Sequence, residues 1–329
     1  MQLKVIPEDF IVEELQFVES LIKANPAEKS ARFTYFLLTK RNRTTLECIY
    51  ELSERLRISP KSFGIAGLKD KCAITTQAFS VKDISPDALA RITMRDVHLE
   101  VLGKGTKEIY RGQHAGNSFC ITVRDITKVP LQDCRFVNLF GEQRFSTKNV
   151  TIGKFLVKRQ WKDAAFSCDA ISVKEYLHYN PTDFIGSIRT VDIKILQLYV
   201  QSYSSFLWNT AAQLHVKRNH VSGENNSENS LSLPGFAMEH ECCIDEVMQH
   251  DKVNASDFLI REIPEVSCEG ADRTVKIDVQ NLTIGSLEDD ELHVGKKKIV
   301  VKFILPPGSY ATVFLKTLFG QLPQSGNEE

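Results

Sequence analysis

The chain has 329 residues, of which 42% are hydrophobic and 25% charged, and its formal net charge is −1. This length and composition predict a globular protein with a sizeable core, in one large or two ordinary domains. The charge argues against a uniformly basic nucleic-acid binder, and no apolar run is long enough to span a bilayer. The opening sequence MQLKVIPEDF lacks the pattern of a secretory signal, so we expect a cytoplasmic protein with no membrane association.

The first 150 residues combine strand and helix patterns. FTYFLLTK at 33–40 is rich in aromatic and β-branched residues, which predicts a strand. A helix should follow, because Thr44 and Glu47 have the spacing of a capping box. Its apolar residues predict one buried face: Leu46, Ile49, Leu52 and Leu56. TTQAFSV at 75–81 and the alternating FCITVRDI at 119–126 predict two further strands.

The middle of the chain is mostly helical in pattern. TIGKFLVKRQWKDAAF at 151–166 predicts one helix and LQLYVQSYSSFLWNTAAQLHV at 196–216 predicts another. The polar sequence SGENNSENS at 222–230 predicts a loop. Three basic residues of the first helix are candidate phosphate contacts: Lys154, Lys158 and Arg159.

Strand patterns return after residue 274, in VKIDVQNLTIG and KIVVKFILP. Ser309 then predicts the N-cap of a last helix in PPGSYATVFLKTLFG. Strand-rich segments lie on both sides of a helical one, without a regular alternation of strand and helix. This arrangement predicts an α+β fold in which a helical insertion interrupts one sheet domain.

Charges and cysteines are unevenly distributed. Basic residues concentrate at 32–71, at 135–159 and in GKKKIVVK at 295–302, whereas EHECCIDE and SLEDDE are acidic. This segregation predicts one side that faces a polyanion, with ordinary surface charge as the alternative. The eight cysteines show no C-x-x-C spacing, which argues against a zinc ribbon. The HECC sequence with Cys242 and Cys243 could bind a metal, but a partly buried thiol pair is the favoured interpretation.

The segment GIAGLKDKCAITTQAFSV at 64–81 places Asp70 between Lys69 and Lys71, after a glycine-rich approach and before a predicted strand. Glycine allows the backbone to come close to a ligand. The two lysines would keep the aspartate ionised and could contact phosphates. An ordinary surface turn is the alternative, since aspartate and glycine are common turn residues.

Two further segments carry groups suited to RNA contact. VNLFGEQRFS at 137–146 interleaves polar groups with aromatic rings, which can read a base edge and stack on its face. The alternative is a turn whose phenylalanines belong to the core. In RGQHAGNSF at 111–119, Gly112, Gly116 and Asn117 could form a hairpin bend whose backbone contacts RNA. His114 is either catalytic or, like most lone loop histidines, a surface or contact residue.

Other sequence signals argue for a simple chemistry. The helix start in LPPGSYATVFLK could bind an anion, although a structural turn is favoured for all of it except Lys316. The motifs of nucleotide-triphosphate loops, serine hydrolases and zinc proteases are absent from the sequence. We therefore expect a reaction that needs no metal and no nucleotide cofactor.

The chemistry-bearing segments, taken together, resemble the motifs of one family. AGLKDKCAITTQAFSV, GQHAGNSF, NLFGEQRF and LPPGSYATVFLK occur in the order of the motifs of the TruD family of tRNA pseudouridine synthases. PEDFIVEEL and LTKRNRTT resemble the N-terminal pattern of this family, and QSYSSFLWN and EGADRTV resemble its later part. The resemblance spans nearly the whole chain.

The resemblance implies an α+β fold with a pseudouridine synthase-like, mixed-sheet catalytic domain that is split in sequence. This domain would comprise residues 1–149 and 265–329, and a mostly helical TRUD insertion domain would comprise residues 150–264. Ser146 stands where the family usually has a glycine, at the entry to the insertion.

The resemblance also implies the reaction and its residues. The enzyme would isomerise a uridine in tRNA to pseudouridine, at position 13 as in the bacterial members, without a metal or cofactor. Asp70 falls on the catalytic aspartate of the family's G-x-K-D motif, and Phe140 on the phenylalanine expected to stack on the target base. The predicted substrate-binding residues are Lys40, Lys69, Asn117, Asn138, Phe140, Gln143 and Arg144.

Two other classes of protein are alternatives. A catalytically inactive RNA-binding relative would gain nothing from an acid near phosphates, so the presence of Asp70 argues against it. A metal-dependent hydrolase would need further carboxylates at ligand spacing, and none accompanies Asp70 in the sequence.

Overall fold

The structure, a computed structural model, describes residues 1–15, 18–22, 30–130, 134–146, 148–222 and 229–321. The chain forms two compact units. The first unit consists of residues 1–134 and 278–311, and the second consists of residues 135–277 and 312–329. The division into a split catalytic domain and a TRUD insertion at 150–264 remains a prediction.

The elements follow one another in a strand-rich, helical and again strand-rich order. The strands are β1 (Phe10–Glu14), β2 (Phe33–Arg41), β3 (Phe63–Ile65), β4 (Ile74–Lys82), β5 (Val97–Gly105), β6 (Asn117–Ile126), β7 (Arg135–Val137), β8 (Ser230–Ser232), β9 (Asp272–Thr274), β10 (Lys276–Asp278), β11 (Gln280–Ile284), β12 (Glu288–Asp289) and β13 (Lys297–Leu305). The α-helices are α1 (Thr45–Leu56), α2 (Pro86–Ala90), α3 (Asn149–Val157), α4 (Trp161–Ser167), α5 (Ile171–Tyr179), α6 (Phe184–Ile188), α7 (Ile193–Ser222), α8 (Cys242–His250) and α9 (Ala311–Leu318).

The first unit is built on a mixed sheet with the strand order β11-β13-β6-β1-β4-β2-β5, in which β12 pairs with β13 and β3 pairs with β4. β1 and β4 run parallel, with Ile11 opposite Ile74. The other pairs along this order are antiparallel. Because parallel strands begin at the same edge of a sheet, the chain before β1 and the loop before β4 lie at one edge. That loop contains Asp70.

The two faces of β2 and β4 are buried against different groups of residues. On one face, Phe36 and Phe79 stack at 5.2 Å and pack with Ile49 and Leu52 of α1. On the other, Tyr35 and Ala78 pack with Val18, Ala66 and Ile109. Alternate residues of a strand point to opposite faces, so both faces of these central strands are covered.

The predicted start of α1 is confirmed, and one prediction about its buried face is wrong. Thr44 Oγ1 accepts a hydrogen bond from the Glu47 N–H at 3.1 Å, and the Glu47 carboxylate accepts one from the Thr44 N–H at 2.7 Å. Leu46, however, is 46% exposed, whereas Ile49 and Leu52 are buried. Helical geometry places Leu46 roughly a quarter-turn away from the stripe that contains Ile49 and Leu52.

The second unit contains α3 to α8, most of α9 and short strands such as β8, which pairs with β9. The single helix predicted at 151–166 is in fact two helices, α3 and α4. Arg159 adopts a left-handed backbone conformation with φ of 58° between them. A right-handed helix cannot continue through such a residue. The central residues 223–228 of the predicted polar loop lie outside the described residues.

Two predictions about the C-terminal part are also corrected. Ser309 does not cap the last helix, since its Oγ is buried without a hydrogen-bond partner in the described chain and α9 begins at Ala311. The basic run at 295–302 is largely neutralised, because three of its lysines form ion pairs of 2.6–3.0 Å: Lys296 with Asp125, Lys297 with Asp289 and Lys298 with Glu291. None of the helices in the described ranges is both long and apolar enough to cross a membrane.

Candidate active site

Asp70 lies in the loop between β3 and β4, and its side chain is 41% exposed. Its Oδ2 accepts a hydrogen bond from Lys4 Nζ at 2.8 Å. Lys4 itself has a left-handed backbone, with φ of 58°, and its ammonium lies 4.2 Å from the centre of the Phe10 ring. The parallel pairing of β1 with β4 brings these segments together. Lys4 is not predicted as a site residue from the sequence, because its position beside Asp70 follows from the pairing of β1 with β4.

The backbone of the Asp70 loop is held by buried side chains. Lys40 Nζ donates a hydrogen bond to the Asp70 carbonyl oxygen at 2.6 Å, and Gln77 Nε2 donates one to the Gly67 carbonyl at 2.9 Å. The Lys69 N–H donates to Thr45 Oγ1 at 3.1 Å, and the Thr45 hydroxyl donates in turn to Gln77 Oε1 at 3.0 Å. Residues of β2, α1 and β4 therefore fix three successive parts of the loop.

Lys40 is completely buried, with 0% exposure. Burial lowers the pKa of its ammonium from the usual value to about 8; the negative charges of Asp70 and Glu47 oppose this change, and the Lys69 charge adds to it. The sequence analysis predicted Lys40 as a substrate contact. In the structure its ammonium faces the Asp70 carbonyl, inside the unit.

Lys69 and Asn117, also predicted to bind substrate, lie together and face inward. Lys69 Nζ is 2.8 Å from Glu14 Oε2 and donates a hydrogen bond to Asn117 Oδ1 at 2.7 Å. The Lys69 side chain is 7% exposed and that of Glu14 is 1% exposed. The Glu14 carboxylate also accepts a hydrogen bond from the Ala78 N–H. Glu14 was missed by the sequence analysis, because an acid in a strand gives no sign of facing the interior.

The two lysines that flank Asp70 in the sequence pair with other carboxylates in the structure. Lys69 pairs with Glu14, and Lys71 lies 3.5 Å from Glu47 on the surface. Successive side chains of an extended loop point in different directions, so neither lysine turns towards the acid between them. The ammonium in contact with Asp70 is that of Lys4.

His114 lies near Gly67 of the Asp70 loop, since a β-carbon at Gly67 would be 3.9 Å from His114 Cε1. His114 is half-buried, and its Nδ1 is a buried atom that has no hydrogen-bond partner in the described chain. Burial lowers the pKa of His114, the Lys69 charge lowers it further, and Glu14 opposes both. Gly64 is required by packing, because a β-carbon there would lie 2.5 Å from the Ile109 carbonyl oxygen.

The Asn138 and Phe140 motif lies in the second unit and is mostly buried. Asn138 is 4% exposed, and its carbonyl oxygen and Oδ1 accept hydrogen bonds from the Arg273 guanidinium at 2.7 Å and 3.0 Å. Phe140 is 8% exposed. The Arg273 guanidinium carbon is 4.0 Å from the Phe140 ring centre, and Trp208 meets the ring edge-to-face at 5.7 Å. A base could not stack on Phe140 without displacing these neighbours.

The other predicted contacts of this motif are more accessible. Gln143 is exposed in the short 3-10 helix Glu142–Arg144. Arg144 is half-buried and donates a hydrogen bond to Gln201 Oε1 at 3.2 Å, while its Nε has no hydrogen-bond partner in the described chain. Lys316 of α9 pairs with Glu142. Gln143 and Arg144 are therefore the members of this motif that remain candidates for direct RNA contact.

No group of three or more histidine, cysteine or acidic side chains within the described ranges is arranged to hold a metal ion. Cys243 is buried and Cys242 is exposed, as expected for a partly buried pair. Both thiols lie near the guanidinium of Arg218, with sulfur–nitrogen distances of 3.5 Å and 3.8 Å.

Comparison with known proteins gives one consistent result. A family model described as tRNA pseudouridine synthase D (TruD) matches residues 1–170 and 230–318. A protein named tRNA pseudouridine synthase D from Aquifex aeolicus is 26% identical over 97% of this chain and 98% of its own length. A Methanosarcina acetivorans relative, named as a probable member of the same enzyme type, is 28% identical over 94% of this chain and 90% of its own length. A crystal structure from Methanosarcina mazei assigned to TruD covers 98% of this chain and 94% of its own, with a TM-score of 0.73 and 26% identity.

The family-model match, the named relatives and the similar crystal structure place the chain among the pseudouridine synthases, which are isomerases. Within this class, the chain belongs to the tRNA pseudouridine synthase D family. The predictions of family, α+β fold and tRNA pseudouridine synthase activity made from the sequence are confirmed.

Proposed function

We propose that the chain isomerises a uridine of tRNA, at position 13, with the Asp70 carboxylate as nucleophile. One observation supports this assignment most strongly. Asp70 is 41% exposed, yet the backbone that carries it is fixed by the buried side chains of Lys40, Thr45 and Gln77. An accessible carboxylate on a rigid loop has the geometry of a reacting group.

The reaction balances without any external reagent. The bond between N1 of the uracil and C1′ of the ribose breaks, and a bond between C5 and C1′ forms. The proton on C5 leaves and N1 gains one, so the product is an isomer of the substrate. A carboxylate can assist by attacking C1′ of the sugar or C6 of the base, with a covalent adduct as intermediate.

Lys4 is the group best placed to support Asp70. Its ammonium is 2.8 Å from Asp70 Oδ2, and the Lys4 side chain is only 14% exposed. A charge-assisted hydrogen bond of this length restrains the direction of the carboxylate. The other Asp70 oxygen remains for attack on the substrate. We propose Lys4 as a positioning residue and Asp70 as the catalytic one.

The reaction also requires that the target uridine reaches Asp70. The uridine must leave its stack before a carboxylate can reach its sugar or base. Gln143 is exposed and Arg144 half-buried, so these two side chains of the second unit are proposed contacts of the tRNA. Lys40, Lys69 and Asn117 are proposed to support the Asp70 loop from inside, because their polar groups bind the loop or one another.

The test is formation of pseudouridine by Asp70→Asn under single-turnover conditions, with enzyme in excess over unmodified tRNA. Asparagine keeps the shape and one carbonyl oxygen of aspartate but is a poor nucleophile. We expect no pseudouridine, with tRNA affinity and melting temperature close to those of the unchanged protein. Asp87→Asn is the matched control, because it makes the same change at an exposed aspartate of α2, and it should retain full activity.

The outcomes separate the proposed role from its alternatives. Turnover by folded Asp70→Asn at the rate of the unchanged protein would remove Asp70 as the nucleophile. Binding of tRNA without any pseudouridine from the unchanged protein would indicate the inactive RNA-binding relative. Mapping the modified nucleotide in the same samples tests position 13, because a product at another uridine would contradict that part of the proposal alone.

A further inference from the structure

Lys40 is unusual because its charge is buried and, among the residues that the structure describes, lacks a carboxylate partner. The residue lies near the end of β2, at 0% exposure. In the described chain no carboxylate lies within ion-pair distance of its ammonium, whose hydrogen bond goes to the Asp70 carbonyl oxygen at 2.6 Å. Burying a charge in this way opposes folding. A feature that opposes folding and touches the backbone of the nucleophile calls for a functional explanation.

The titratable groups around Lys40 come from two elements. Asp70 and Lys69 face it from the loop, and Glu47 and Cys48 face it from α1. Each acid is engaged elsewhere, Asp70 with Lys4 and Glu47 with the Thr44 N–H. Cys48 is buried, and burial raises the pKa of its thiol. The Asp70 carbonyl is therefore the group that Lys40 holds directly.

We propose that Lys40 is a positioning residue of the reaction. Its ammonium binds the Asp70 carbonyl oxygen and thereby sets the direction in which the Asp70 side chain projects from the loop. This inference rests on the proposed function and deepens it. Gln77 and Thr45 restrain Gly67 and Lys69, but Lys40 restrains the backbone of Asp70 itself. A displacement of about 1 Å at a reacting group can lower a rate about 10²-fold.

The proposal also explains why Lys40 would act without touching tRNA. Its side chain is inside the first unit, so its removal should alter the chemical step rather than the affinity for RNA. A phosphate contact would behave in the opposite way, since its loss weakens binding and reduces the salt dependence of affinity.

The experiment compares three variants in single-turnover pseudouridine formation with saturating enzyme, together with tRNA affinity and thermal unfolding. Lys40→Met removes the donor and the charge, and we expect a rate about 10²-fold lower with unchanged affinity. Lys40→Gln keeps a neutral donor and should lose less. Thr34→Val is the matched control. Thr34 is buried in the same strand, β2, and the change removes the hydrogen bond from its hydroxyl to the Ile84 carbonyl oxygen. It should lower the melting temperature and leave the rate unchanged.

The pH dependence of the rate distinguishes a positioning role of Lys40 from a purely structural one. Lys40 is charged below its folded pKa of about 8 and neutral above it. The rate advantage of the unchanged protein over Lys40→Met should therefore be largest below pH 8 and shrink as the pH rises above it. Ionisation of the uracil affects both proteins equally and cancels in this ratio.

Each outcome decides the inference. A Lys40→Met rate equal to that of the unchanged protein, or a rate ratio that does not vary with pH, would overturn it. If Lys40→Met does not fold, Lys40→Gln is measured in its place, and a full rate or a pH-independent ratio overturns the inference in the same way. Absence of pseudouridine from the unchanged protein would instead contradict the proposed function, so the two failures are distinguishable.

Discussion

At the scale of single residues, Phe140 shows how burial limits what a side chain can do. Its ring is 8% exposed and has the Arg273 guanidinium on it and Trp208 at its edge. Its backbone is also fixed, since the N–H donates to Asn209 Oδ1 at 2.8 Å and the carbonyl accepts from Asn209 Nδ2 at 3.1 Å. Phe140 is thus a packing residue of the second unit in this structure.

We predict that Phe140→Ala destabilises the protein strongly. Truncation of a buried phenylalanine leaves a cavity and typically costs about 3–5 kcal/mol. The measurement is equilibrium unfolding in urea, with Phe166→Ala as control because Phe166 is 67% exposed in the same unit. The control should change stability little. An unchanged unfolding midpoint for Phe140→Ala, with loss of activity, would support an open stacking plate instead.

The sequence identifies the residues of the site better than their partners. Asp70 stands out because glycine, lysine and aspartate occur together in one motif. This motif can be recognised without knowing which strands pair. Lys4 and Glu14 do not stand out, since they become neighbours of the loop only through the parallel pairing of β1 with β4. The inward orientation of Lys69 is equally invisible, because a lysine is usually exposed.

At the scale of elements, the junction of α3 and α4 shows a limit of periodicity. The residues at 151–166 contain neither glycine nor proline at the break, so a continuous helix is the simplest prediction. The break is set by tertiary contacts instead. The Arg159 guanidinium donates hydrogen bonds to the carbonyls of Asp257 and Leu259 at 2.7 Å and 2.6 Å, and it pairs with Glu262.

These contacts separate two basic residues that look equivalent in the sequence. We predict that Arg159→Ala lowers the melting temperature and leaves the salt dependence of tRNA affinity unchanged. Lys158, which has no side-chain hydrogen bond or ion pair in the described chain, remains a candidate phosphate contact. Lys158→Ala should reduce the slope of log affinity against log salt by about 0.7–0.9 for one lost contact.

The two variants serve as controls for each other, because they are adjacent and carry the same formal charge change. The assay is tRNA binding over a range of salt concentrations, with thermal unfolding of the same samples. A reduced slope for Arg159→Ala at full stability would contradict its structural role. An unchanged slope for Lys158→Ala would remove that residue from the RNA interface.

At the scale of the whole chain, the first unit is assembled from segments far apart in sequence. The sequence predicts strand-rich parts on both sides of a helical one, and the sheet joins them by pairing β13 with β6. The pairing order itself was not predictable, because alternation identifies a strand but not its neighbours. Arg124, at 3% exposure, adds a second connection through ion pairs with Asp9 and Asp290 at 2.9 Å and 2.7 Å.

This connection predicts how the first unit responds to acid. Burial would raise the pKa of Asp290, but hydrogen bonds from the Leu292 N–H, His293 and Arg124 outweigh it and hold the pKa well below its usual value. A carboxylate with a lowered folded pKa stabilises the protein above its unfolded pKa of about 4. That contribution is lost as the pH falls through the folded value. The stability of the unchanged protein should therefore decrease below about pH 4.

We predict that Asp290→Asn lowers the free energy of unfolding by about 1–3 kcal/mol at neutral pH, because the buried Arg124 loses one charged partner and keeps Asp9 and Glu291. The difference from the unchanged protein should shrink as the pH falls below about 4, since the carboxyl of the unfolded protein then binds a proton that the native carboxylate binds only at its lower folded pKa. Urea unfolding at several pH values measures both effects. Asp289→Asn is the matched control, because Asp289 is the neighbouring residue and its side chain is 91% exposed in its pair with Lys297. An exposed pair of this kind contributes little, so equal losses for the two variants, or a constant difference at every pH, would contradict the stabilising role of the Asp290 charge.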